Sequence, residues 1–262
     1  MTTIKLTGNV RLRNPIFIEG LPGVGNIGRV AVGYLVSELK AKLLATLYSE
    51  WFFPFVMLHD KYMIHLLKNE FYYVKATKKG QRDLILLIGD CQSLAPQGHY
   101  EVSEKILDFC QKMGVQEIIT LGGLATGDLE SPGKVVGAAT SEAMMKKYSK
   151  FKIDFNAGDK VGYIVGAAGI LPAIGNERGM DGLCLLGQTS GFPIVTDPKA
   201  AESVLNVMVG ILGLKINMGK LEKKVEEMED FMKKVESLQR KAIGEISKAA
   251  KPPTGEELRY IG

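Results

Sequence analysis

The stretch IFIEGLPGVGNIGRVAVGYLVSEL, Ile16 to Leu39, decides the fold. Ile16 to Glu19 is a short apolar run and reads as a buried strand. Gly23-Val24-Gly25-Asn26-Ile27-Gly28 then spells G-x-G-x-x-G. Arg29 to Leu43 follows as a helix, with Val32, Leu35, Val36 and Leu39 at helical spacing. Leu44 to Tyr48 reads as a second strand, so the opening unit is βαβ.

That spelling suits a dinucleotide cradle, and Glu50 lies near where a ribose-binding acid would stand. Other features oppose it. Gly20-Leu21-Pro22 separates strand from glycines, and Trp51-Phe52-Phe53-Pro54 and hairpins follow the second strand. A doubly wound nucleotide fold would continue with alternating helices and strands. The competing reading is a glycine turn that lets a helix lie close on the sheet. Backbone N–H groups at the helix start could still hold an anion.

Downstream, Phe55 to His59, Met63 to Lys68, Phe71 to Ala76 and Leu84 to Ile88 are strand-like runs with very short gaps. Such gaps imply antiparallel hairpins. Tyr100 to Met113 is a helix with Val102, Ile106, Phe109 and Cys110 on its apolar face, and Gly114 suits its C-terminal cap. Ile118 to Leu121 is a strand, and Ser141 to Lys150 is helical. Val161 to Val165 and Gly182 to Gly187 are strands, and Leu171 to Ile174 opens a helix. Asp197 to Leu214 begins with an Asp-Pro helix start.

From Leu214 onward, Leu214, Met218, Leu221, Val225, Met228, Met232 and Val235 are spaced alternately by four and three. This is a heptad seam, expected to pair with a helix of another subunit or of the same chain. Lys251-Pro252-Pro253 ends it. The expected organisation is a core domain over 1–213, a heptad helix over 214–251 and a flexible tail over 252–262. That tail carries Leu258, Tyr260 and Ile261, which an idle tail would tend to lack.

Composition narrows the function classes. The chain has 262 residues, 46% of them hydrophobic and 24% charged, enough for one large core. The net charge of +4 is dispersed, so no nucleic-acid footprint is expected. Met1-Thr2-Thr3-Ile4-Lys5 has no apolar leader character, and no stretch reaches the ~20 apolar residues of a membrane span. Cys91, Cys110 and Cys184 are widely spaced and read as buried thiols in a reducing cytoplasm. No phosphate loop, metal-binding pair or nucleophile elbow appears; Gly187-Gln188-Thr189-Ser190-Gly191 lacks the central Ser. His59 and His65 fall in the hairpins and His99 in a loop. Asp90, Gln92 and His99 follow an apolar strand, where α/β sites form, and read best as loop-structuring groups. No catalytic residue, cofactor or metal site is expected.

Several of these segments, in this order, resemble the proteasome assembly chaperone family and its archaeal members. They are Pro22 to Gly28 at a helix start, Leu84 to Asp90 leading to Gln92 and Gly98-His99-Tyr100, and Gly114-Val115 before Ile118 to Gly123. The resemblance covers roughly residues 10 to 215. It implies an α/β fold with a mixed sheet and flanking helices, phosphorylase/hydrolase-like in outline. It implies an ATP-independent, homo-oligomeric binding protein acting on the α subunits of the proteasome core particle, with a related family member as a further partner. Some members of the family carry an ATP-grasp label, and the alternative is a nucleotide-binding enzyme using the Gly23–Gly28 turn. The acidic magnesium-binding set of such an enzyme is not found. The resemblance also gives the tail a role, since proteasome regulators often end in hydrophobic-Tyr-any residue. Here Tyr260 is third from the end, so Tyr260 takes the hydrophobic place, Ile261 the tyrosine place and Gly262 the last. The expected partner-binding set is Leu258, Tyr260, Ile261 and Gly262.

Overall fold

The structure, a computed structural model, describes residues 1–59, 62–126, 133–156, 162–189 and 196–221. It also describes 223, 225, 226, 233–235, 237, 238, 240 and 241. In chain order the elements begin with β1 (Thr2–Leu6), β2 (Ile16–Gly20), α1 (Ile27–Glu38), β3 (Lys42–Ser49), β4 (Val56–His59) and β5 (Met63–Leu66). Then come β6 (Asn69–Val74), β7 (Leu84–Gly89), α2 (Pro96–Lys112), β8 (Glu117–Ala125) and β9 (Val135–Ala139). The remainder are α3 (Glu142–Tyr148), α4 (Ala167–Glu177), β10 (Asp181–Thr189) and α5 (Pro198–Leu212).

Eight strands form one mixed sheet in the order β1-β3-β6-β7-β2-β8-β10-β9. The centre, β7-β2-β8-β10, is parallel, and the flanking pairs are antiparallel. Parallel strands covered on both faces need unbroken apolar runs, and β7 (LILLIG) is buried throughout. Ile18, Leu86, Ile119 and Leu185 face α1 and α5. Phe17, Ile85, Leu87 and Ile118 alternate onto the opposite face, under α2 and α4. Each such side chain contributes about 1.5–3 kcal/mol by leaving water. The result is the expected α/β architecture of a mixed sheet between helical layers.

Local signals explain the helix ends. The Asp197 carboxylate accepts from Ala200 N at 2.9 Å, and Pro198 fills the first turn of α5. Gly213 closes that helix at φ 60°, and Gly114 follows α2 at φ 78°.

Several expectations are corrected. The strand after α1 runs in the same direction as β2 but stands three places away, with β6 and β7 between them. The close hairpins are not one meander: β4 and β5 form a separate two-stranded sheet, while β6 joins the main one. Helix α2 starts at Pro96, four residues earlier than its apolar face suggests, so His99 is helical. Residues 162–165 form no strand; Gly162 is left-handed at φ 62°, and Tyr163 and Val165 are 80% and 76% exposed. Among the described residues no helix is long and apolar enough to cross a membrane.

The first residues of the expected heptad helix are not helical. Leu214 to Asn217 are not helical, Met218–Lys220 form a 3-10 turn, and helical residues begin at Leu221. Leu214 and Met218 pack half-buried on the α1/α5 core, which Leu221 and Val225 join as buried members. Val235 is buried in the opposite core. Met228 and Met232 lie outside the described residues.

Candidate functional site

The glycine turn sits at the carboxyl ends of the parallel strands. Gly25 and Asn26 take positive φ values of 62° and 51°, which swing the chain from β2 into α1. The third motif glycine is fixed by crowding: a Cβ on Gly28 would stand 2.1 Å from Leu121 O. Gly20 lies as tightly under α1, where a Cβ would meet Gly28 O at 2.2 Å. The glycines therefore let α1 rest on β2 and β8, as the packing reading supposed.

Neighbouring loops close over the turn. Gln92 Nε2 donates to Pro22 O at 2.7 Å, and Gln92 Oε1 accepts from Ala167 N at 2.9 Å. One side chain thus ties the turn to the start of α4. Asp197 N donates to Gly25 O at 2.9 Å, which sets the α5 cap against the turn. Glu50 lies at the end of β3, beyond two intervening strands and so roughly 14 Å from β2. It pairs with the Met1 amino group. The relation between turn and ribose-binding acid is not formed.

A half-buried charged network lies beside this turn. Arg29 Nε donates to Gly89 O at 2.9 Å. Burial lowers the Arg29 pKa, and the Asp90 carboxylate opposes that. Lys68 pairs with Glu70 at 2.6 Å, and Tyr72 OH donates to Glu70 at 2.9 Å. Asp90 accepts from Lys68 N at 3.0 Å; burial raises its pKa against that bond and the Arg29 charge. Asp90 and Gln92 thus structure the loops, as read from the sequence. The half-buried His99 imidazole has its pKa lowered by burial. All three cysteines are buried, as expected.

Two carboxylates escaped the sequence reading. Glu19 is 1% exposed; Oε1 accepts from Leu21 N at 2.7 Å, and Oε2 has no hydrogen-bond partner among the described residues. Burial raises its pKa to about 8, so the carboxyl is largely protonated at neutral pH. Its signal was a lone acid inside an apolar run. Glu117 is also buried, at the far end of β8, and takes Arg82 at 2.6 Å, Lys147 at 2.7 Å and the Tyr148 hydroxyl. Burial alone would raise its pKa; those bonds outweigh it and hold the carboxyl below its ordinary value. That group fastens α3 to the sheet and had no signal in local spacing.

Of the expected site residues, Leu258, Tyr260, Ile261 and Gly262 lie outside the described residues. Among the described residues no His, Cys, Asp or Glu cluster is placed to hold a metal. Apart from Glu19 Oε2, the polar groups described near the glycine turn bind one another, so the arrangement holds loops and helices in place.

Sheet order and turn together define a three-layer α/β protein whose glycine motif is a packing device. The chain belongs to the PAC2 family, whose model matches residues 17–236. This bears out the family resemblance drawn from the sequence. Among solved structures it is similar to Pyrococcus furiosus PbaB, described as an archaeal proteasome activator. The two are 41% identical, with a TM-score of 0.81 over 90% of this chain and 98% of that one. Pyrococcus furiosus PbaA, described as an archaeal homolog of proteasome-assembly chaperone, is 27% identical, with a TM-score of 0.74 over 92% and 99%. The uncharacterized protein MJ1210 of Methanocaldococcus jannaschii is 37% identical over 251 residues, 96% of this chain and 93% of that protein.

Proposed function

We propose that this chain is a non-enzymatic, ATP-independent, homo-oligomeric factor that engages the proteasome core particle in the cytoplasm. The observation that carries this reading is the 41% identity to PbaB, spanning 90% of the chain at a TM-score of 0.81. The lower identity to PbaA, 27%, favours an activator over an assembly chaperone. The glycine turn supports it indirectly, because packing against Leu121 O accounts for Gly28 without a phosphate.

Contact is made by Leu258, Tyr260, Ile261 and Gly262, which dock between adjacent α subunits as a captured carboxyl terminus. A single tail buries little area and binds weakly. Several tails on one oligomer gain by effective concentration when their spacing fits. The heptad seam sets that spacing, and its fold-back contacts at Leu221, Val225 and Val235 anchor the segment to the body.

Removing Tyr260, Ile261 and Gly262 should abolish capture of the core particle and of its isolated α subunits while leaving oligomeric mass unchanged. Undiminished capture would refute the tail mechanism. Calorimetry with ATP should give no heat of binding; saturable heat would instead support the nucleotide-binding alternative at Gly23–Gly28.

A further inference from the structure

The β4–β5 hairpin stands apart from the main sheet, and its register sorts its side chains onto two faces. Val56 pairs with Leu66 and Leu58 with Ile64, so these four aliphatic residues share one face. They are 42%, 61%, 55% and 69% exposed, in that order. The opposite face is covered only in part, since Met63 and His65 on it are exposed. Met57 is buried in the same core as Val235, and Lys234 Nζ donates to Leu58 O at 3.3 Å. A two-stranded sheet with one bare aliphatic face is marginal in water on its own.

We infer that this outer hairpin face is the contact between two copies of this chain, packed sheet to sheet across a two-fold axis. This deepens the oligomeric part of the proposed function and does not depend on the tail. A two-fold contact requires a patch that complements itself, and an uncharged aliphatic face does. The four residues and the neighbouring Tyr62, 79% exposed, leave on the order of 500 Å² of largely apolar surface, the upper range for a monomer's largest patch. A stable interface takes ~800 Å² from each partner, so the patch supplies more than half.

Shape adds a second reason. A cavity of about 270 Å³, walled by Phe53, Phe55 and Leu67 and also by Met1 and Glu50, opens at the base of the hairpin, while Tyr62 projects at its tip. When two hairpins pack in opposite directions, the tip of each reaches the base of the other. Tyr62 of one copy then enters the aromatic socket of its mate. Of the described seam residues, Leu221, Val225 and Val235 are buried within the chain, whereas the hairpin face is exposed.

The test uses the full chain and two double variants, Leu58→Glu with Ile64→Glu, and Leu58→Lys with Ile64→Lys. Both positions are mostly solvent-exposed, so thermal unfolding should stay close to that of the parent chain. By light scattering, the parent exceeds monomer mass, each variant alone falls to half the parent's mass or less, and an equal mixture recovers it. Variants that keep the parent's mass, or a mixture that stays dissociated, overturn the inference and leave the oligomeric reading standing. A monomeric parent removes that reading as well. Lost core-particle capture at unchanged mass assigns the face to a different partner and also overturns it.

Discussion

Replacing Glu19 by Gln tests the electrostatic interior of the sheet. Glu19 is 1% exposed, and its pKa is raised from 4.5 to about 8, chiefly by burial. The folded state therefore holds a proton that the unfolded chain releases above pH 4.5. The sign follows: stability is full below about pH 4.5 and falls as pH rises toward 8. At about 1.4 kcal/mol per unit, the 3.5-unit difference (8 − 4.5) amounts to about 5 kcal/mol across that window. This is a large share of the 5–15 kcal/mol typical of a whole domain. The amide that Glu19→Gln introduces cannot ionise, so the variant lacks this slope. The Cys184 thiol, which feels the Glu19 charge, has its pKa raised to about 12, mainly by burial, and stays neutral throughout. Urea unfolding of both proteins at intervals from pH 5 to 8 gives the difference in stability. The variant should gain on the parent by several kcal/mol between those limits. Parallel stability curves would refute the assignment of a buried, protonated carboxyl.

Gly28→Ala should be severely destabilising, since its Cβ would meet Leu121 O at 2.1 Å and backbone cannot yield cheaply. Thermal unfolding should show a loss of roughly 3 kcal/mol or more, and an unchanged midpoint would contradict the packing role. Glu117→Gln removes the charge that pairs with the partly exposed Arg82 and Lys147 and should cost about 1.5–3 kcal/mol near neutral pH by denaturant titration. Because its carboxyl pKa lies below the ordinary value, the parent's advantage should be lost as pH falls through that lowered pKa. Gln92→Ala should release Pro22 O and Ala167 N together, seen as faster hydrogen exchange at Ala167 and the glycine turn.

The parts of the fold legible in the sequence are those that burial alone dictates. β7 is a continuous apolar run, and β2 one broken only by Glu19, because helices cover both their faces, and α1 and α2 show helical spacing. β1 and β9 were missed for physical reasons. β1 is an edge strand with polar residues. β9 is the opposite edge strand, a short VVGAA run in which Ile153 and Phe155 leave no room for a side chain at Gly137. Strand order is set by long-range pairing, so nothing near Leu44 announces the two strands that separate it from β2. Leu214 and Met218 misled because a gap of four satisfies both a helix and an extended chain. Half-burial at Leu214, Ile216 and Met218 alternates with exposure at Lys215 and Asn217, the period of an extended segment. The glycine motif was legible as a close-packing turn. Glu117 was not, because Arg82, Lys147 and Tyr148 converge on it only in three dimensions.

The central claim is that several weak tails on one oligomer act together on the proteasome α ring. The most direct measurement compares the affinity of the whole chain for the core particle with that of a free peptide of Leu258 to Gly262. Multivalent docking predicts at least about a hundredfold tighter binding by the whole chain, with the peptide competing for the same sites. Equal affinities, or tight binding that excess peptide cannot displace, would contradict it.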